Sequence, residues 1–319
     1  MPRPAPSRLN SGLGAPRAAS KLRARQKKRQ QTRRLTIVIT VVIIAISIAV
    51  GIYFVSTATG GTALDKYDGL PVSTQHLTSL QAVSDQPYGP AATSTMESQV
   101  VNYGGARFVS NGKPELVYVG AEYCMYCAIE RWPLIIALER FGNLSKLHYM
   151  TSATDEDDIA TFTFNGSSYT SNYLAFKGYE DEDRSSAPLQ TVPANYSAVW
   201  SSFGTGFPFL DFGNTYVVRS SLLPFPDIIQ GKNWTAILSD ISTSDSVGLQ
   251  IREAANLITG MICKITQGAP AAVCTASPIT SSTSSVSGPT NAGLTAGLAP
   301  PSTYVISAIT SLPATKRIG

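Results

Sequence analysis

Two cysteines separated by two residues, set between a strand-like run and a helix-like run, constrain this chain more than any other feature. Residues 115–141 read ELVYVGAEYCMYCAIERWPLIIALERF. Glu115–Gly120 is apolar and rich in β-branched residues over the length of a strand, and Ala128–Phe141 follows it as a helix-like segment. A Cys-x-x-Cys at such a junction places the Cys124 sulfur at a helix N-terminus, where unpaired N–H groups and the helix dipole favour a thiolate. Cys127 stands one turn further on, within reach of a disulfide. Cys124 is therefore expected to attack and Cys127 to resolve. Two other readings remain open for the pair. A zinc site would need a second closely spaced ligand pair, which Cys263, Cys274 and the two histidines supply poorly, and a purely structural disulfide needs no exposed thiolate.

The formal charge of +4 hides a strong asymmetry. Residues 1–34 carry eleven Lys/Arg and no acid, and the rest of the chain has fourteen basic against twenty-one acidic residues. Nucleic-acid binding is a poor reading of that distribution, because the positive charge is confined to one segment beside a hydrophobic span. Residues 1–34 read as a disordered cytoplasmic arm. Leu35–Val55 follows without a single charge and is long enough to cross a bilayer as a helix. The basic flank predicts an inside N-terminus and an extracytoplasmic remainder at the cell membrane. A cleaved signal peptide with Ser56-Thr57-Ala58 at its end is the rival reading.

Residues 56–99 read as a Gly/Ser/Thr/Pro spacer that holds one short helix, with Leu77, Leu80 and Val83 at helical spacing behind Ser73. The domain proper is expected over 100–274, with Arg107–Val109 as a short strand and Asn111-Gly112 as a tight turn. Pro133 should kink the helix after the cysteines, and Gly142 should stop it. Leu147–Met150 reads as the next strand, parallel to the first by a right-handed crossover, and His148 reads as a core residue rather than a proton-transfer partner. Residues 153–205 look like an insertion, with the Thr161–Phe164 run, Tyr169, Tyr173 and Tyr179, and two acidic clusters, Asp155–Asp158 and Glu180–Asp183, read as solvated loop. Pro208, two apolar runs and Gly213-Asn214 between them predict a hairpin. Trp234–Ile241 and Val247–Thr266 read as helices, and a Cys263–Cys274 disulfide would tie the end of the second to its return loop, worth about 3 kcal/mol. Residues 275–319 read as a Ser/Thr-rich disordered tail. Four Asn-x-Ser/Thr sequons, at Asn143, Asn165, Asn195 and Asn233, all follow the apolar span.

The motif Ala121-Glu122-Tyr123-Cys124-x-x-Cys127, Pro133 and Phe207-Pro208 together resemble the thioredoxin-like superfamily, in which a cis-proline faces the cysteines. Over about residues 70–275, the segments AEYCMYCAIERW, RFGNL, TFTF, FPFLDFGNTYVV and AANLITGMICKITQGAPAAVC resemble an archaeal family of membrane-anchored proteins, number 929 among the domains of unknown function. The resemblance implies an α/β chain with a thioredoxin-like central mixed sheet flanked by helices. It places an insertion between the second strand and the cis-Pro strand, and one transmembrane helix before the domain. Met125-Tyr126 between the cysteines leaves the direction of electron flow open, and Tyr118 stands where thioredoxin has a buried Asp.

The expected activity is membrane-tethered thiol–disulfide exchange on exported proteins. Cys124 and Cys127 react, while Tyr123, Met125, Tyr126, Phe207 and Pro208 line the substrate groove. The cofactor is the redox-active disulfide itself, with no metal. The partners are exported thiols or disulfides, a membrane redox partner and the lipid bilayer through 35–55. The rival is a non-catalytic glycosylated surface protein of the same fold, with both cysteine pairs as staples.

Overall fold

The computed structural model describes residues 64–85, 88–152 and 158–287. The basic arm 1–34, the apolar span 35–55, Asp155–Asp157 and the tail beyond 287 lie outside the described residues. Among the described residues, no helix is long and apolar enough to cross a membrane.

In chain order, a 3-10 turn at Leu64–Tyr67 and helices α1 (Thr74–Asp85) and α2 (Ser94–Glu97) precede β1 (Val100–Asn102), β2 (Val109–Ser110) and β3 (Lys113–Ala121). Helix α3 (Met125–Glu139) leads to β4 (Gly142–Ser145), β5 (His148–Thr151), β6 (Ala160–Thr163), β7 (Ser168–Ser171) and β8 (Ala175–Glu182). Then come α4 (Ala194–Ser202), β9 (Phe209–Phe212), β10 (Tyr216–Val218), α5 (Trp234–Thr243), α6 (Ser246–Ile265), α7 (Ala271–Cys274) and α8 (Ser277–Ser281).

Strand β3 is apolar on both faces, which is why it lies at the centre of a six-stranded mixed sheet. Leu116 and Tyr118 enter the cluster formed with α3 and α6, whereas Val117 and Val119 enter the cluster formed with Tyr196, Val199 and Trp200 of α4. Strand β8 pairs with β3 in parallel, and β9 pairs with it antiparallel, followed outward by β10 and β1. Helices therefore cover both faces of the sheet. The Gly213-Asn214 hairpin joins β9 to β10 as the sequence predicts, with both residues at positive φ. Asn111 and Gly112 likewise turn at positive φ from β2 into β3. Ile129, Trp132, Ile135 and Ile136 of α3 are fully buried, each worth about 1.5–3 kcal/mol relative to exposure.

Several boundaries differ from the sequence reading. The parallel neighbour of β3 is β8, inside the segment 153–205 read as an insertion. Leu147–Met150 instead contributes to β5, which pairs antiparallel with β6 in a separate two-stranded sheet. Between α3 and β8 the chain forms two separate two-stranded antiparallel sheets, β4–β7 and β5–β6. The local pattern misled because both segments have strand character, and only pairing across the sheet separates them. The 56–99 segment also does more than space the domain: α1 is capped by Ser73, whose Oγ accepts from the His76 N–H at 3.2 Å, and it buries Leu80 and Val83. The strand expected at Arg107–Val109 forms instead at Val109–Ser110, and α3 ends at Glu139, before Gly142, which opens β4. The tail begins later than residue 275, since α8 packs Ile279 into the main core.

Candidate functional site

Cys124 is the N-cap of α3. Its backbone is extended, and its sulfur accepts the Cys127 N–H at 3.2 Å, filling the role that a Ser or Asp side chain fills at most helix starts. Cys124 is 8 % exposed and Cys127 is fully buried, so the two sulfurs are unequal in access. Both stand as free thiols. The hydrogen bond from the Cys127 side chain draws the Cys124 pKa below its ordinary value against the opposing effect of burial, with the Cys127 N–H and the Arg131 charge also helping. Burial, and then the neighbouring Cys124 sulfur, push the Cys127 thiol well up. The two thiols are thus shifted in opposite directions.

Tyr123, Met125, Tyr126, Phe207 and Pro208 lie around the two cysteines. Phe207 and Tyr123 pack on the small apolar cluster of Ala121, Cys124 and Cys127. The Phe207–Pro208 peptide bond is cis. Phe209 pairs opposite Val119, which brings Phe207 and Pro208 beside the end of β3 that runs into the cysteine loop. The Phe207 ring stacks on Trp200 with centroids 5.4 Å apart, and the Trp200 indole N–H donates to the Gly206 carbonyl at 3.0 Å. Met125 is half-buried and Tyr126 is exposed at the start of α3.

Sequence reasoning missed the group beneath the sulfurs. Arg131, fully buried, donates through Nε and Nη2 to the two carboxylate oxygens of Glu180 at 3.0 and 2.6 Å, and through Nη2 to the Ala121 carbonyl at 2.8 Å. Glu180, which the sequence places in a solvated acidic cluster, is fully buried on β8 and also accepts the Phe164 N–H. The signal was present in the helix itself, because Glu130-Arg131 interrupts an otherwise apolar stretch and must find partners if that face is buried. The Tyr118 hydroxyl is buried without a hydrogen-bond partner among the described residues, and burial pushes its pKa well up. Glu122 accepts the Thr163 hydroxyl at 2.7 Å, and the Thr161 hydroxyl donates to the Ala128 carbonyl at 2.7 Å, so the β5–β6 hairpin braces the cysteine loop and the first turn of α3.

Other sequence-marked residues fall elsewhere. Cys263 and Cys274 are joined in a disulfide between α6 and α7. Among the described residues, no histidine hydrogen-bonds to either site sulfur. His148 lies on β5 opposite Thr163, while His76 uses both ring nitrogens on Tyr149 and Thr235. No group of three or more His, Cys, Asp or Glu among the described residues could hold a metal ion. Asn143 and Asn195 are exposed, and the Asn233 side chain caps α5 through the Ala236 N–H.

Residues 99–264, just over half of the chain, match the model of a family described as a domain of unknown function, DUF929. No curated protein and no solved structure matches the chain.

Proposed function

This chain belongs to the DUF929 family, and from that premise we propose that it is a thiol–disulfide oxidoreductase with a thioredoxin-like fold, working on exported proteins from a membrane tether at residues 35–55. The observation that carries the reading is the helix-capping Cys124, which keeps 8 % exposure where Cys127 keeps none, with the cis Phe207–Pro208 bond beside the same loop. The sheet order supports the fold assignment. A central mixed sheet with β10, β9, β3 and β8 adjacent in that order and helices on both faces fits the central mixed sheet flanked by helices that the resemblance implies.

In the reducing direction, the Cys124 thiolate attacks one sulfur of a substrate disulfide, and the other substrate sulfur leaves as a thiolate. Cys127 then loses its proton and attacks Cys124, closing the Cys124–Cys127 bond and releasing the second substrate thiolate. The substrate gains two electrons and the dithiol loses them. The reverse sequence oxidises a substrate, and a membrane redox partner resets the couple in either case. The unequal burial of the sulfurs sets the roles, because an incoming disulfide meets Cys124 first.

Cys127→Ser should accumulate mixed disulfides with exported proteins, visible on non-reducing gels and abolished by dithiothreitol, whereas Cys124→Ser should trap none. A correctly folded Cys127→Ser chain without adducts would sink the reading. That outcome would favour the staple alternative, in which both variants lose stability equally.

A further inference from the structure

We propose that Arg131, fixed by Glu180, is a positioning residue that biases the Cys124–Cys127 couple toward its dithiol form, so that the resident disulfide oxidises paired thiols of protein substrates. This inference rests on the exchange reading above and supplies the direction that the Met125-Tyr126 dipeptide leaves open.

Positions 124, 127 and 131 recur at three- and four-residue steps, which places them on one face of α3. The Arg131 Nη2 and the Cys124 N–H both donate to the Ala121 carbonyl, at 2.8 and 3.3 Å, so the guanidinium is fastened to the loop that presents the reactive sulfur. Glu180 holds it from the other side by a two-pronged contact with both partners fully buried. The Nη1 group has no hydrogen-bond partner among the described residues. The other titratable groups around it are Tyr118 on β3, whose ring lies 5.7 Å from the guanidinium carbon, Glu180 on β8, and Glu122 in the cysteine loop. Arg131 exerts a favourable charge effect on both sulfurs.

Net stability is a weak reason to keep such an arrangement. A buried ion pair roughly breaks even against apolar residues of the same size. A guanidinium fastened to the cysteine loop, with its carboxylate partner on β8, does have a redox consequence, because the thiolate exists only in the reduced form and the disulfide carries no charge to stabilise. Turnover then runs as follows. A substrate thiolate attacks Cys124 in the disulfide form, the Cys124–Cys127 bond breaks, and Cys127 leaves and takes up a proton. The second substrate thiolate attacks the substrate sulfur of the mixed disulfide and expels Cys124 as a thiolate. The substrate disulfide has formed, and its two electrons reside in the dithiol.

The test compares the full-length wild type with Arg131→Met/Glu180→Gln, which removes both buried charges together. Two quantities are read: the pH profile of Cys124 alkylation, followed by mass spectrometry, and the dithiol–disulfide equilibrium in glutathione buffers. In the double variant, the thiolate fraction below the alkylation midpoint should fall roughly tenfold, and the equilibrium should move roughly tenfold toward the disulfide. Arg131→Lys, which keeps the charge, should stay within about threefold of wild type, and if the double variant does not fold, the wild-type potential against glutathione decides the matter. A folded double variant with both quantities unchanged, a folded Arg131→Lys chain with the full tenfold loss, or a wild-type couple more reducing than glutathione overturns the proposal. Trapped adducts from Cys127→Ser together with unshifted Arg131 variants overturn only the role of Arg131. Shifted variants without adducts overturn the exchange reading and, with it, the oxidant role.

Discussion

Two adjacent charges in an apolar helix, Glu130 and Arg131, meet opposite fates. Arg131 finds a carboxylate, whereas Glu130 finds only neutral donors: its Oε2 accepts the Ser221 hydroxyl at 3.0 Å and the Leu222 N–H at 2.9 Å, and Oε1 has no partner among the described residues. Burial pushes the Glu130 pKa up to about 8 from an ordinary 4.5. The folded chain therefore keeps a proton that the unfolded chain releases. The stabilisation is fully present below about pH 4.5 and is lost as the pH rises through about 8. Glu130→Gln, neutral at every pH, should lose less stability than wild type between about pH 5 and pH 9, by on the order of 1–3 kcal/mol. Urea denaturation at the two pH values checks this, and parallel losses in the two proteins would refute it. The hydrogen-bond partners of Glu130 lie 91 and 92 residues away, which no local pattern could have announced.

Helix α6 was legible as an element because its apolar stripe recurs at helical spacing over about three turns, with Ile251, Ala254, Ala255, Ile258 and Ile262 all fully buried. Its start is fixed by Asp245, whose carboxylate accepts the Val247 and Gly248 N–H groups at 3.0 and 2.8 Å. The close crossing of α5 and α6 was not legible. A Cβ at Gly248 would collide with the backbone carbonyl of Asp240, so the two helices approach through the bare glycine. Gly248→Val should cost about 2–4 kcal/mol by forcing the helices apart, measured as a lowered midpoint in thermal or urea unfolding. An unchanged midpoint would show that the crossing relaxes without cost. Strand β8 is the converse case. Its sequence AFKGYEDE carries four charges and reads as solvated, yet it forms the parallel neighbour of β3 and buries Glu180 within the sheet. Strand identity there follows from its partner and not from propensity.

The family match ends at residue 264, but the folded body extends beyond it in both directions. Helix α1 adds Leu80 and Val83 to the core cluster, α8 adds Ile279, and the disulfide partner Cys274 also lies outside the matched segment. Residues 64–287 expressed alone should melt cooperatively, whereas 99–264 alone should not, because it exposes the surfaces that α1 and α8 cover and leaves Cys263 unpaired. Circular dichroism with thermal melts distinguishes the two, and a cooperative melt of the shorter piece would show that the flanking helices are dispensable. The sequence by itself determined the strand–cysteine–helix junction, the Gly213-Asn214 hairpin, the long helix α6 and the Cys263–Cys274 pairing. Each of these is written in side-chain periodicity, turn chemistry or short separation along the chain. Only the tertiary structure decided which strand lies beside β3, how the pairs β4–β7 and β5–β6 form and which buried charges stand by the cysteine loop. Arg131 and Glu180 are 49 residues apart, and a charge becomes a buried partner rather than a solvated one only when folding brings its counter-charge to it.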